Sequence, residues 1–179
     1  MNEQAKNLNQ ALLAAMETYT EQTCFQAKQS GYYHNISYQQ FQTLTFRMAR
    51  FFGNRGIVNG ERVVIVANNS PVWMAAYMAC LLSGGIVVPL HISLSPTTLH
   101  LILQDSGACL VMLQDQEHIQ KISTTLTADS NNGLPNLETI LTITDGGETI
   151  PGVVSLNTVL AEPLPTPEEE EYEYSCYIR

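Results

Sequence analysis

The residues of this 179-residue chain that could carry chemistry are few and scattered. Cys24, Cys80, Cys109 and Cys176 include no CxxC pair and no histidine at ligand spacing, so neither a zinc site nor a disulfide framework is signalled. They read as reduced thiols in apolar surroundings. His34, His91, His100 and His118 fall on separate stretches, and no Ser or Cys has the setting of an activated nucleophile. No metal site is expected. His91 stands out because it follows a predicted strand, at the carboxyl end where ligands of open α/β sheets collect. The polar turn Asn68-Asn69-Ser70 lies at another such end, before a helix start that could accept an anion, although capping alone accounts for Ser70. Trp73 and Tyr77, four apart on one helix, could stack on a substrate, but core or interface packing is the simpler reading. Neither GxGxxG nor GxxxxGK[ST] occurs, and Gly84-Gly85 follows a helix, where it reverses the chain instead of cradling phosphate.

The elements that must position these residues are legible. Between Arg62 and Asp105 there is no Asp, Glu, Lys or Arg, so strands and helix faces there belong inside a layered body. Arg62 to Ala67 is a β-branched run, the pattern of a strand covered on both faces. Ser70-Pro71 opens a helix to about Leu82, with Pro71 at the first helical position where its missing N–H costs nothing. Ile86 to Pro89 is the next strand. Ser95-Pro96 repeats the start signal for a helix ending near Asp105-Ser106-Gly107, and Ala108 to Leu113 is a third strand. Upstream, Ala11 to Tyr19 reads as an outer helix, and Cys24 to Ala27 with Tyr32 to His34 as a hairpin around Ser30-Gly31. Ser37 caps a helix to about Asn54, whose Tyr38, Phe41, Leu44, Thr45, Met48 and Phe52 recur at helical spacing. Downstream, Gln116 to Leu126 reads as a helix, Asp129 to Pro135 as a loop, Thr139 to Thr144 as a strand and Ser155 to Leu160 as a short helix. Strands alternating with helices predict a doubly wound α/β domain, with a mainly parallel sheet and helices on both faces.

Composition narrows the partners. The net charge of -9 is concentrated in Glu162, Glu168, Glu169, Glu170, Glu171 and Glu173; without them 11 acidic residues face 8 basic ones. With no Lys/Arg cluster, nucleic acid is a poor partner. Residues 1–160 read as the α/β unit, 161–173 as an acidic Pro/Glu linker and 174–179 as the start of a strand. Val72 to Ile92 is uncharged enough to suggest a membrane span, but Ser83, Gly84, Gly85 and Pro89 break it where a helix hands over to a strand. The start of the chain has neither a basic cluster nor an apolar signal core, and a cytosolic protein is expected.

Several short pieces recur in one order. They are Ile36-Ser37-Tyr38, then Gly56-Ile57-Val58-Asn59-Gly60-Glu61-Arg62-Val63, then Val64 to Ala67 with Asn68-Asn69-Ser70-Pro71. There follow Leu82-Ser83-Gly84-Gly85-Ile86-Val87-Val88-Pro89-Leu90, Leu94-Ser95-Pro96-Thr97-Thr98-Leu99 and Leu103-Gln104-Asp105-Ser106-Gly107-Ala108-Cys109. This succession resembles the N-terminal subdomain of the adenylate-forming superfamily: acyl-CoA synthetases, aryl-CoA ligases, luciferases and peptide-synthetase adenylation domains. Trp73 and the Leu-Ser-Pro opening are most similar to the fatty acyl branch, while amino-acid adenylation domains share much of the pattern.

The resemblance implies a ligase that converts ATP and a carboxylate into an acyl adenylate and pyrophosphate. A thiol of CoA, or of a carrier protein's phosphopantetheine, would then take the acyl group, with Mg2+ beside the phosphates. The family's phosphate loop, of Thr-Ser-Gly-Thr/Ser-Thr-Gly-x-Pro-Lys type, follows a strand similar to Ser175-Cys176-Tyr177-Ile178-Arg179, and this sequence does not contain it. No catalytic or cofactor-binding residue can therefore be carried over. The chain is expected to be the N-terminal fragment of such a ligase, inactive alone, binding no cofactor tightly, and partnered by the remaining C-terminal parts of the enzyme with their carboxylate substrate. A sheet edge or apolar face should then be left uncovered. A non-catalytic interaction module and a nucleotide-binding domain of another family are the alternatives.

Overall fold

In the computed structural model, residues 7–126, 134–144 and 153–161 are described. The fold is organised around the β-branched run Arg62–Val66, strand β3, whose Val63, Val64 and Ile65 are fully buried. Before it come α1 (Leu8–Thr18), β1 (Thr23–Gln29), β2 (Tyr32–Ser37) and α2 (Tyr38–Asn54). After it come α3 (Pro71–Leu82), β4 (Ile86–Leu90), α4 (Pro96–Ser106), β5 (Leu110–Leu113), α5 (Gln116–Leu126), β6 (Thr139–Thr142), β7 (Val153–Ser155) and α6 (Leu156–Ala161). Strands β4-β3-β5-β6-β7 form one parallel sheet in that order. The chain leaves β3 for the edge strand β4 and then doubles back across β3 to β5.

Side chains alternate between the faces. Val63 and Ile65 enter a core with Phe41, Phe52, Ala76 and Leu82 of α2 and α3, to which α1 adds Met16 and α6 adds Leu156 and Val159. Val64 and Val66 enter a second core with Leu99 and Leu103 of α4 and Ile119 and Ile122 of α5. Helices therefore cover both faces, as the charge-free run predicted. A fully buried Val or Ile contributes about 1.5–3 kcal/mol each.

The helix starts follow their sequence signals. Ser37 and Gln40 form a reciprocal capping box; Ser70 Oγ accepts from the Trp73 N–H at 3.1 Å and Ser95 Oγ from the Thr98 N–H at 3.1 Å. α1 begins earlier than its apolar residues suggest because Asn7 caps it. The stretch weighed as a membrane span is the 12-residue α3 followed by β4, and no described helix is long and apolar enough to cross a membrane. Strand β7, paired to β6, has no counterpart in the sequence reading, since three residues are too few for a pattern. The expected linker and final strand lie, from residue 162 onward, outside the described residues, as does most of the Asp129 to Pro135 loop.

Three residues of the recurring motifs, Arg62, Gly84 and Gly85, close the amino end of the sheet. Arg62 donates through Nε to the Ser106 carbonyl at 2.8 Å, through Nη1 to Gly60 at 2.8 Å and through Nη2 to Gly107 at 2.9 Å, tying the start of β3 to the end of α4. Gly84 takes φ +80°, and a Cβ on Gly85 would stand 2.7 Å from Cys80 Sγ and 2.9 Å from Ile57 Cγ2. The pair reverses the chain and lets β4 pack tightly against the end of α3. β1 and β2 form a separate antiparallel hairpin, anchored where Phe25 meets Phe41 edge-on at 4.9 Å. Tyr32 and Tyr33 are exposed on it.

Two substitutions test this account by urea unfolding. Gly85→Ala should lower stability by about 1–3 kcal/mol through overpacking against Cys80 and Ile57. Arg62→Lys should also cost about 1–3 kcal/mol, because a point charge cannot reach three carbonyls with the fork geometry. An unchanged midpoint in either variant contradicts the corresponding contact.

Candidate functional site

The carboxyl ends of the strands are where an open parallel sheet offers space, above all where the strand order reverses. Here that reversal lies between β3 and β5, and Gln114 bridges it. Gln114, just past β5, accepts the Asn68 N–H on its side-chain oxygen at 3.0 Å and donates its own N–H to the Val66 carbonyl at 3.0 Å. Among the described residues a cleft opens on the other side of β3, toward β4. With a volume of about 520 Å³, it is lined by Asn68, Asn69, Trp73, His91 and Ile92.

His91 sits at its rim. The Ser93 N–H points to His91 Nδ1 at 3.2 Å and Ser93 Oγ lies 2.8 Å from the same nitrogen. An N–H can only donate, so Nδ1 accepts, and in the neutral ring Nε2 carries the hydrogen. Trp73 forms a wall and stacks on Tyr77 with ring centroids 5.5 Å apart. Both rings also pack against the larger core, so the packing role read from sequence holds, and Trp73 adds an aromatic surface facing the cleft. Ser70 is occupied as a cap. A second cleft of about 530 Å³ lies beyond Trp73, between Phe25 and Lys28 of β1 and Pro71 and Met74 of α3. Trp73 and Asn69 border both.

The other histidines differ. His34 pairs with Ala27 in the exposed hairpin, and His100 lies half-buried on α4 with Nδ1 unpartnered. His118 was invisible as a site residue in the sequence. It is buried, with Nδ1 2.7 Å from Asp115 Oδ1 and Nε2 3.1 Å from the Ile92 carbonyl oxygen. The one signal was Asp115, three residues upstream, which also accepts the His118 backbone N–H at 3.2 Å. Partial burial opposes ionisation of Asp115, but hydrogen bonds from the His118 ring and backbone outweigh it and hold the carboxyl below its ordinary value.

Among the described residues the thiols are poor nucleophiles. Burial, reinforced by the neighbouring Cys109, pushes Cys80 up to about 12. Cys109 rises to about 11 through burial and then the Glu61 carboxylate, and burial also raises Cys24. Cys176 lies outside the described residues. No group of three His, Cys, Asp or Glu able to hold a metal ion occurs among the described residues.

Comparison with known proteins places this geometry. Residues 12–175 match the family of AMP-binding enzymes. The chain belongs to that family. It is 26% identical over 117 residues to the long-chain-fatty-acid–CoA ligase ACSBG1 of Bos taurus, an alignment covering 65% of this chain and 16% of the relative. The human ACSBG1 ligase is 29% identical over 108 residues, covering 60% of this chain and 15% of the relative. The chain thus spans about a sixth of the length of these relatives. In fold it is similar to the coronafacic acid ligase of Pectobacterium brasiliense, with TM-score 0.71 at 22% identity over 88% of this chain and 30% of that one.

The thiol assignment predicts that Cys80 of the native chain is alkylated by iodoacetamide near neutral pH roughly a hundredfold or more slowly than in the unfolded chain. Labelling followed by peptide mass spectrometry measures this; equal rates in both states contradict the burial of Cys80.

Proposed function

We propose that this chain is part of an AMP-forming acid:thiol ligase, which joins a carboxylate to AMP and then passes the acyl group to the thiol of CoA or a carrier protein. The match to AMP-binding enzymes over nearly the whole chain carries this reading. Residues 1–160 are the first α/β subdomain of that enzyme, 161–173 a connector and 174–179 the entry to a phosphate loop that this sequence does not contain. A fatty carboxylate is the substrate class favoured, because the bovine and human relatives are named long-chain-fatty-acid–CoA ligases. We place the enzyme in the cytosol, which its high-pKa, unpaired thiols suit.

Within such an enzyme these residues position ligands and make no bonds. The cleft offers the flat face of Trp73, the amides of Asn68 and Asn69 and a free Nε2–H on His91 to part of a bound ligand with hydrogen-bond acceptors. ATP supplies the phosphoanhydride that is broken. Mg2+ would enter as a companion of the nucleotide's phosphates, the usual way this ion is held beside one or two carboxylates and waters.

Purified chain assayed for carboxylate-dependent ATP–pyrophosphate exchange should show none, because the barrier is lowered by positioning and charge around phosphates that this scaffold does not grip alone. Exchange above background would overturn the division of labour. An open reading frame continuing beyond the Arg179 codon into a Thr-Ser-Gly-rich segment would support the ligase reading, and a stop codon there would count against it.

A further inference from the structure

The segment His91 to Leu94 joins the edge strand β4 to α4, and through Ile92 it forms one wall of the cleft. Its tether comes from two strands away. His118 of α5, the helix that follows β5, places Nε2 3.1 Å from the Ile92 carbonyl oxygen, with its side chain only 7% exposed. The other ring nitrogen lies 2.7 Å from Asp115 Oδ1. An amide carbonyl and an ionised carboxylate only accept hydrogen bonds, so both bonds coexist only when both ring nitrogens carry hydrogen. The Asp115 carboxyl, held below its ordinary value, is ionised at neutral pH and cannot supply that hydrogen itself.

We infer that His118 is a positioning residue, a doubly protonated clasp that is charged against Asp115 on one side and fixes the Ile92 wall of the cleft on the other. A neutral ring has one N–H. Kept by Asp115, that hydrogen leaves the Nε2 lone pair facing the Ile92 oxygen, and the wall is released. On the acid side the clasp persists until pH falls through the depressed range of Asp115, because its charge-assisted bond is lost only on protonation of the carboxylate. The surrounding ionisable groups are Glu117 and Lys121 of α5, which pair with each other at 2.9 Å, His91 on the tethered segment, and His100 and Asp105 on α4, which packs against α5. β5 and β6 bring none. That Ile92 faces a ligand rests on the function proposed above; the proton state of the ring does not.

Nitrogen-15 NMR of the whole 179-residue chain tests this. Both His118 ring nitrogens should show a bonded hydrogen wherever the Ser93 and Leu94 amides are protected, and raising the pH until one ring hydrogen is lost should raise exchange at Ser93 and Leu94 roughly tenfold beyond the intrinsic pH effect, with Val64 in β3 still protected. Asp115→Asn should loosen Ser93 and Leu94 under conditions where the native chain holds them. His118→Gln, an uncharged donor, should hold the segment with no pH dependence. A single ring N–H while Ser93 and Leu94 are protected, or equal exchange in wild type and Asp115→Asn, overturns the clasp; if Asp115→Asn fails to fold, the wild-type comparison of ring hydrogens with exchange decides. The ring-nitrogen and exchange readouts need no ligand, so they decide the clasp independently of the function proposed above.

Discussion

Burial of β3 from both sides is the constraint on which the rest depends. Val63 and Ile65 complete one core and Val64 and Val66 the other, so a single strand of alternating side chains joins two helical layers. Such a strand tolerates no charge and no register slip, since moving it by one residue would exchange the contents of the two cores. Arg62 ends the apolar run at the amino end, where its guanidinium meets three backbone carbonyls in place of water. Asn68 ends it at the other, where the chain turns toward a solvent-filled cleft.

The sheet order that follows from this central strand also decides where a ligand can enter. Because the chain visits β4 before crossing to β5, the order reverses beside β3, the usual place for a binding crevice. Gln114 bridges it by a hydrogen bond to Asn68, and a cleft lies on the β4 side beside Trp73 and His91. The wall of that space belongs to an edge connection, which would be free to move without an anchor. His118 supplies one from the opposite side of β3.

Much of the architecture was legible because local signals agreed with the global fold. Ser37, Ser70 and Ser95 each announced a helix and each caps one; Gly84-Gly85 and Gly107 ended helices where predicted. Elements without such punctuation were harder to see. β7 is three residues long and gains its identity only by pairing with β6. Asn7 lies in a stretch so polar that its capping role was hidden. The site was less legible than the fold. His91 and the Asn68-Asn69 turn were picked out by their place after strands, which is a topological argument. Trp73 was read as packing and also lines two clefts, because a large ring on a helix's first turn can face both inward and outward.

The sequence by itself determined the strand and helix succession, the two-faced burial of β3 and the family resemblance, because each is written in residues adjacent along the chain. Only the tertiary structure could decide that His118 meets Ile92, 26 residues away, or that Gln114 closes the gap beside Asn68, 46 residues away. Those meetings depend on the order in which strands lie side by side. That order is set by the packing of whole helices on each face, a property no short run of residues contains.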